Sequence, residues 1–163
     1  MRTLILLRHG KSDYPTGVSD HDRPLAPRGI RESALAGDWL RAHAPRIDAV
    51  LCSTATRTRQ TLARTGIDAP VTFVDRLYDS SPGIVLAEIN EVAEDLGTLL
   101  VVGHEPVLSA LALGLAGQAS SAEAVETIEQ KFPTSAIAVL QVHTPWSALE
   151  LGGAQLVTVH VPR

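Results

Sequence analysis

Two histidines and two arginines stand directly after short apolar runs. Arg8 and His9 follow Leu4–Leu7, Arg57 opens the segment after Ala49–Leu51, and His104 follows Thr98–Val102 with Gly103 between. Arginine carries a permanent charge on a planar fork that meets phosphate oxygens in pairs. Histidine adds a nitrogen that serves as a nucleophile or a titratable donor. Brought together, the four side chains form a site for a tetrahedral dianion. Taken singly, each has a blander account. An arginine after a strand is usually solvated, and a lone histidine at a strand end is more often a satisfied structural donor.

The elements around them decide whether they meet. Thr3–Leu7 is a short apolar run that predicts a buried strand, and Ala49–Leu51, Val71–Val74 and Thr98–Val102 predict three further strands. Residues 10–27 hold Gly10, Pro15, Gly17, Pro24 and Pro27 and predict a surface loop. From Arg28 to His43 the residues Ile30, Ala34, Leu35, Trp39 and Leu40 recur at helical spacing, and Pro45 stops that helix. Thr56–Thr65 predicts a helix ending near Gly66. Pro82 opens a helix expected to reach about Leu96, and Pro106 one reaching Leu115. Residues 117–134 alternate acidic and small side chains without a clear period. Ser135–His143 and Gln155–Val161 close the chain as a pair of strands. Alternating strands and helices predict an α/β domain with a largely parallel sheet covered on both faces. Ligands in such folds bind beyond the carboxyl ends of the strands, where the four basic residues fall.

Composition narrows the functions. The 163 residues suit one domain, 1–163, with one hydrophobic core. A formal net charge of -4 argues against general nucleic-acid binding, which needs a net basic face. Cys52 is the one cysteine, so no internal disulfide forms, and a reducing compartment fits. Within Ala49-Val50-Leu51-Cys52 it reads as a small buried strand residue. The apolar run at the N-terminus is too short for a signal peptide, and no stretch has the length of a membrane span. The expectation is a cytoplasmic protein. No Asp or Cys/His cluster has metal-ligand spacing, and His21 with Asp20 and Asp22 reads as a solvated loop.

Three segments carry a family resemblance. Leu7-Arg8-His9-Gly10 resembles the LRHG signature of the histidine phosphatase superfamily. Ser53-Thr54-Ala55-Thr56-Arg57-Thr58-Arg59-Gln60-Thr61 resembles its S-x-x-x-R-x-x-Q-T signature, and Val102-Gly103-His104-Glu105-Pro106 its V-G-H segment. The finer resemblance is to the short SixA-type branch of phosphohistidine phosphatases. Lys11-Ser12-Asp13, Asp22-Arg23-Pro24-Leu25, Arg28-Gly29, Leu77-Tyr78, Phe132-Pro133-Thr134-Ser135-Ala136 and the Trp146 region all fit it.

The resemblance implies a phosphoglycerate mutase-like, three-layer α/β/α sandwich. It implies His9 as nucleophile passing through a phosphohistidine, with Arg8, Arg57 and His104 on the phosphoryl oxygens. It implies no cofactor, and a monomer acting on a phosphorylated protein or a small phosphorylated substrate. Mutase-like members place an asparagine after the first signature, where this chain has Pro15. Larger members carry a glutamate acid after the third strand, where the nearest carboxylate here is Asp79. Asp79 is a solvated loop residue or a proton donor. A phosphoramidate's imidazole can leave with its proton already in place, so a weak acid favours phosphohistidine over alkyl esters.

Physical chemistry bears on the same residues. A histidine nucleophile must be neutral, and a carbonyl near Gly10 is the candidate to fix its tautomer. Ser12 either reaches phosphate or stabilises the loop. Arg59, two residues from Arg57, faces another side of its helix. Arg23 and Arg28 are expected to pair with Asp20, Asp22 or Glu32, and Glu105 to cap the following helix. Phosphohistidine turnover, a small phosphomonoester such as a nucleotide or sugar phosphate, and a non-catalytic phosphate-binding module are the three functions left open.

Overall fold

The computed structural model describes residues 1–163. Its strands are β1 (Arg2–Arg8), β2 (Ala49–Ser53), β3 (Val71–Val74), β4 (Thr98–Gly103), β5 (Ile137–Val142) and β6 (Ala154–His160). Its helices are α1 (Pro27–His43), α2 (Thr56–Thr65), α3 (Pro82–Asn90), α4 (Val107–Leu115) and α5 (Ala122–Gln130). The strands form one sheet in the order β3-β2-β4-β1-β5-β6. The first four run parallel, β5 runs antiparallel to β1, and β6 antiparallel to β5.

The two-residue period of a strand sends alternate side chains to opposite faces. Leu4, Leu6, Leu99 and Val101 pack with Val85, Ile89, Leu108, Leu111 and Ile128 of α3, α4 and α5. Ile5, Leu7, Leu100 and Val102 pack with Ala36, Leu40 and Leu62 of α1 and α2. The central strands are therefore apolar throughout, and three layers result. No helix is long and apolar enough to cross a membrane.

α1 forms where expected, but of the residues that set its period it fully buries only Leu40. Leu35 is 40% exposed, while Gly29, Glu32, Ser33, Ala36, Gly37 and Leu40 face inward. The reason is close approach. A Cβ on Gly37 would lie 2.0 Å from the Thr65 carbonyl oxygen of α2, and one on Gly29 would lie 2.1 Å from that of Lys11. Small residues let α1 rest on backbone, and the larger apolar ones are pushed to its flank.

α3 also stops short of the expected Leu96, at Asn90. Its last carbonyls accept in tightened turns, Glu91 N–H to Glu88 and Val92 N–H to Ile89. The Asn90 amide then donates to the carbonyls of Trp146 (2.7 Å) and Leu149 (3.0 Å), tying the helix end to the β5–β6 connection. In the aperiodic stretch 117–134, α5 starts where Ser121 accepts from the Ala124 N–H at 3.2 Å, an N-cap.

Parallel pairing fixes where the chemistry falls. Arg8 is in register with Gly103, and Cys52 with Val102, so β1, β4 and β2 end together. The residues that follow them open onto one edge of the sheet.

Candidate active site

A cleft of about 330 Å³ lies at that edge, and Arg8, His9, Arg57 and His104 all line it. His9 is held at both backbone ends. Its N–H donates to the Gly103 carbonyl at 3.1 Å, and its carbonyl accepts from Ser135 N–H at 3.0 Å. Ser135 is buried and takes a left-handed conformation, φ 65°, to reach it. The His9 ring meets the Gly10 carbonyl through Nδ1 at 2.7 Å. A carbonyl only accepts, so Nδ1 carries the hydrogen and Nε2 keeps its lone pair. Burial drives the ring down to about 3, helped by His104, Arg57 and Arg8 and opposed by the Gly10 bond. His9 is thus neutral at physiological pH, with one defined tautomer.

Gly10 is fixed in turn by the second signature. Its N–H donates to Thr61 Oγ1 at 2.9 Å, and that hydroxyl donates to the Arg57 carbonyl at 2.7 Å. No larger residue fits at Gly10, because a Cβ there would lie 2.8 Å from Ser33 Oγ and 2.9 Å from the Gly29 carbonyl oxygen.

His104 stands across the cleft, its ring centroid 5.3 Å from that of His9. Its Nε2 lies 2.8 Å from Ser53 Oγ, which also accepts from the Ala55 N–H at 3.3 Å. Because Ser53 Oγ accepts from Ala55 and can donate to Nε2, the ring hydrogen falls on Nδ1, which has no partner. Burial, then Arg57, bring His104 down to about 4, so it too is neutral.

Both arginines are wall residues. Arg8 donates from NH1 to the Phe132 carbonyl at 3.1 Å. Arg57 is 7% exposed and donates to Asp20, from NH1 to its carbonyl at 2.8 Å and from NH2 to Oδ2 at 3.1 Å. The Nε atoms of Arg8 and Arg57 and Nδ1 of His104 are buried without partners. Together they give a cationic wall with donors in reserve, as an oxyanion site requires.

The remaining expectations divide. Ser12 and Asp79 line the cleft. Ser12 Oγ already accepts from Arg23 at 2.6 Å, a loop bond. Arg59 points away, donating to the Thr54 carbonyl at 2.8 Å and lying over the Phe73 ring at 4.0 Å. Arg28 pairs with Glu32 at 3.2 Å and Arg23 with Asp20 at 3.1 Å, but Arg23 lines the cleft as well. Glu105 Oε1 accepts from Ser109 N–H at 2.7 Å, capping α4, while also lining the cleft. Cys52 is fully buried, and burial pushes its thiol up to about 12. His21 contacts Thr54 Oγ1 at 3.0 Å and meets the Tyr78 ring edge-on. No three His, Cys, Asp or Glu side chains converge to hold a metal ion.

The supporting side chains Ser53, Thr61, Asp20 and Tyr78 carry no chemistry that residue type alone would flag. Ser53 and Thr61 are the first and last residues of the second signature, and that position is the signal available in the sequence.

A model of the histidine phosphatase superfamily (branch 1) matches residues 4–95, more than half of the chain. The chain belongs to the histidine phosphatase superfamily. The match stops before β4, so His104 comes from outside it. An uncharacterized protein of Mycobacterium tuberculosis (strain H37Rv) is 62% identical over 158 residues, covering 96% of this chain and 100% of the relative. A structure from Nakamurella multipartitia, provisionally assigned as phosphohistidine phosphatase SixA, superposes with TM-score 0.91 at 43% identity, covering 99% of this chain and 96% of that one. A protein histidine phosphatase SixA complexed with tungstate gives TM-score 0.79 at 26% identity, covering 98% and 97%. The chain is a hydrolase-family protein of the SixA-type branch, with the three-layer, phosphoglycerate mutase-like fold.

Proposed function

We propose that this SixA-type histidine phosphatase is a metal-independent enzyme that removes the phosphoryl group from phosphohistidine in a protein, through a phosphohistidine on His9. The observation that carries this is the His9–Gly10 bond. It leaves Nε2 unprotonated in a cleft bounded by Arg8, Arg57 and His104.

Nε2 attacks phosphorus, an Nε2–P bond forms, and the P–N bond to the substrate imidazole breaks. That imidazole leaves as a neutral ring when its other nitrogen already holds a proton, so no strong acid is needed. Negative charge spread over the phosphoryl oxygens meets Arg8, Arg57 and His104, donors fixed before reaction. Water then attacks the phosphohistidine, breaking the Nε2–P bond, and His9 returns neutral with inorganic phosphate released. Asp79, at the cleft lining, is the proton donor for a substrate whose leaving group has no proton of its own. The tungstate bound by a SixA relative supports a cleft for tetrahedral dianions. The whole of 1–163 acts as one domain, because β4 and β5 flank β1 from outside the segment matching the family. The single thiol, Cys52, fits a reducing compartment, and the proposal extends to a cytoplasmic monomer.

The test is to stop turnover of a phosphohistidine peptide with acid and with base. Phosphate on His9 is expected to be base-stable and acid-labile, and absent from His9→Ala. Unchanged turnover in His9→Ala removes the mechanism. Preference for para-nitrophenyl phosphate over the peptide moves the substrate to small esters.

A further inference from the structure

The flank of the cleft on the α1 side holds more positive charge than its carboxylates neutralise. Lys11 is exposed and lines the cleft. Its backbone is fixed, because its carbonyl accepts from Ala26 N–H at 2.9 Å and Gly29 packs against its main chain. α1 therefore begins beside Lys11. That helix has no side-chain cap and no acidic residue in its first turn, so the positive end of its dipole is not offset there. Arg28 and Arg31 follow on its outward side, both exposed. Neither Lys11 nor Arg31 forms an ion pair. Arg28 Nε at 3.2 Å and Arg163 Nη1 at 3.0 Å both donate to Oε2 of Glu32. One buried carboxylate thus faces two guanidinium groups, whose side chains are 49% and 46% exposed. This concentration of cations stands on a chain whose formal net charge is -4. The nearby acids are engaged or lie elsewhere. Asp13 accepts from Tyr14 N–H, Asp20 pairs with Arg57, Glu105 caps α4, and Asp79 follows Tyr78.

We propose that the ridge formed by Lys11, Arg28 and Arg31 docks an acidic surface patch on the protein that carries the phosphohistidine. The proposal rests on the reading of the cleft as a phosphohistidine site. Arg28 and Arg31 do not line the cleft, so they lie beyond a small ester bound in it. The ridge nevertheless starts at the cleft lining with Lys11. A macromolecule that places its phosphorylated side chain against His9 covers the surface around the mouth, and on this side that surface is basic. Complementary charge steers encounter and fixes register, which acts on KM rather than on the chemical step. The residue types divide in the same sense. Arginine forks hold a phosphoryl group of fixed shape, whereas a lysine on a flexible stem adapts to carboxylates whose positions vary. Leu35, one turn beyond Arg31 and 40% exposed, adds an apolar contact at the far end of the ridge.

Two phosphohistidine peptides test this, one with glutamates flanking the phosphohistidine on both sides and one with glutamines in their place. Their kcat/KM values are measured with the intact chain at low and high salt. Wild type is expected to favour the glutamate peptide about tenfold at low salt, through KM. Most of that preference should vanish at roughly 0.5 M salt, where screening is strong. Arg31→Glu is expected to cut the preference by about threefold or more, on the order of one or two exposed ion pairs. Arg64→Glu makes the same change of net charge at an exposed site in the last turn of α2 and should leave the preference unchanged. Turnover of the glutamine peptide reports in the same assay that each variant is folded. No preference in wild type overturns the docking ridge. So does a preference that Arg31→Glu leaves intact, or one that Arg64→Glu cuts equally. If wild type turns over neither peptide, the phosphohistidine reading itself fails and the ridge loses its occupant with it.

Discussion

Replacing Thr61 by valine tests the link between the second signature and His9, the proposed nucleophile. The side chain is fully buried, and valine keeps its shape while removing the hydroxyl. Two bonds go, the one received from Gly10 N–H at 2.9 Å and the one given to the Arg57 carbonyl at 2.7 Å. The Arg57 carbonyl keeps its helical acceptor role, so the main loss is a stranded Gly10 N–H, costing about 1–3 kcal/mol. For a chain of this size that lowers Tm by roughly 3–10 °C. Activity should fall further than stability. Gly10 also presents the carbonyl that orients His9 Nδ1, and misplacing a nucleophile by about 1 Å costs on the order of 100-fold in rate. Thermal unfolding followed by circular dichroism gives the first number, and single-turnover kinetics on a phosphohistidine peptide gives the second. Thr61→Ser keeps the hydroxyl and should recover most of the turnover. A valine variant with wild-type Tm and wild-type turnover refutes the relay.

The pH behaviour follows from burial of both imidazoles, which places His9 near 3 and His104 near 4, against about 6.5 in an unfolded chain. The acid limb of kcat/KM, corrected for substrate ionisation, should therefore fall near pH 4 rather than 6.5; a limb at 6.5 contradicts the neutral-ring assignment. The same depression acts on stability. Unfolded imidazoles bind protons as pH drops through 6.5 and the folded ones resist until about 4 and 3, so urea midpoints should decline across that window. Gly37→Ala drives a Cβ against the Thr65 backbone at 2.0 Å and should cost about 3 kcal/mol by urea unfolding; an unchanged midpoint excludes the contact. Cys52 should resist thiol reagents in the native protein and label only at the rate of unfolding.

What could be seen beforehand tracks how local the cause was. β1, β2, β3 and β4 are apolar runs bounded by polar residues, and Gly66 ends α2 with a left-handed φ of 70°, as a C-terminal glycine does. The four basic residues were visible because parallel strands deliver whatever follows them to one edge. The Gly10 carbonyl was a candidate on adjacency alone, and the 2.7 Å bond realises it. The inward face of α1 was not visible, because Gly37 faces inward through contact with Thr65, twenty-eight positions away in the numbering. α3 looked longer because Val92 and Leu96 continue an apolar period, while the bonds from Asn90 to Trp146 and Leu149 that fix its end come from a distant loop. Asp20 was expected as a partner for Arg23, and it is one. Its hold on Arg57 and Tyr78 joins segments 37 and 58 residues apart, which no local pattern encodes.

The strand that leads into His9, the proposed nucleophile, is the first of the six along the chain and lies in the middle of the sheet, between β4 and β5. Its parallel neighbour begins at Thr98 and its antiparallel one at Ile137, so neither edge of β1 is covered until late in synthesis. Pairings this far apart along the chain make for slow folding and leave an apolar strand exposed on the ribosome. A nascent or truncated product ending before residue 98 holds Arg8, His9 and Arg57 yet has no floor on which to set them. Catalytic competence therefore arrives abruptly, with the last third of the polypeptide, and fragments of this enzyme should aggregate rather than work at reduced efficiency.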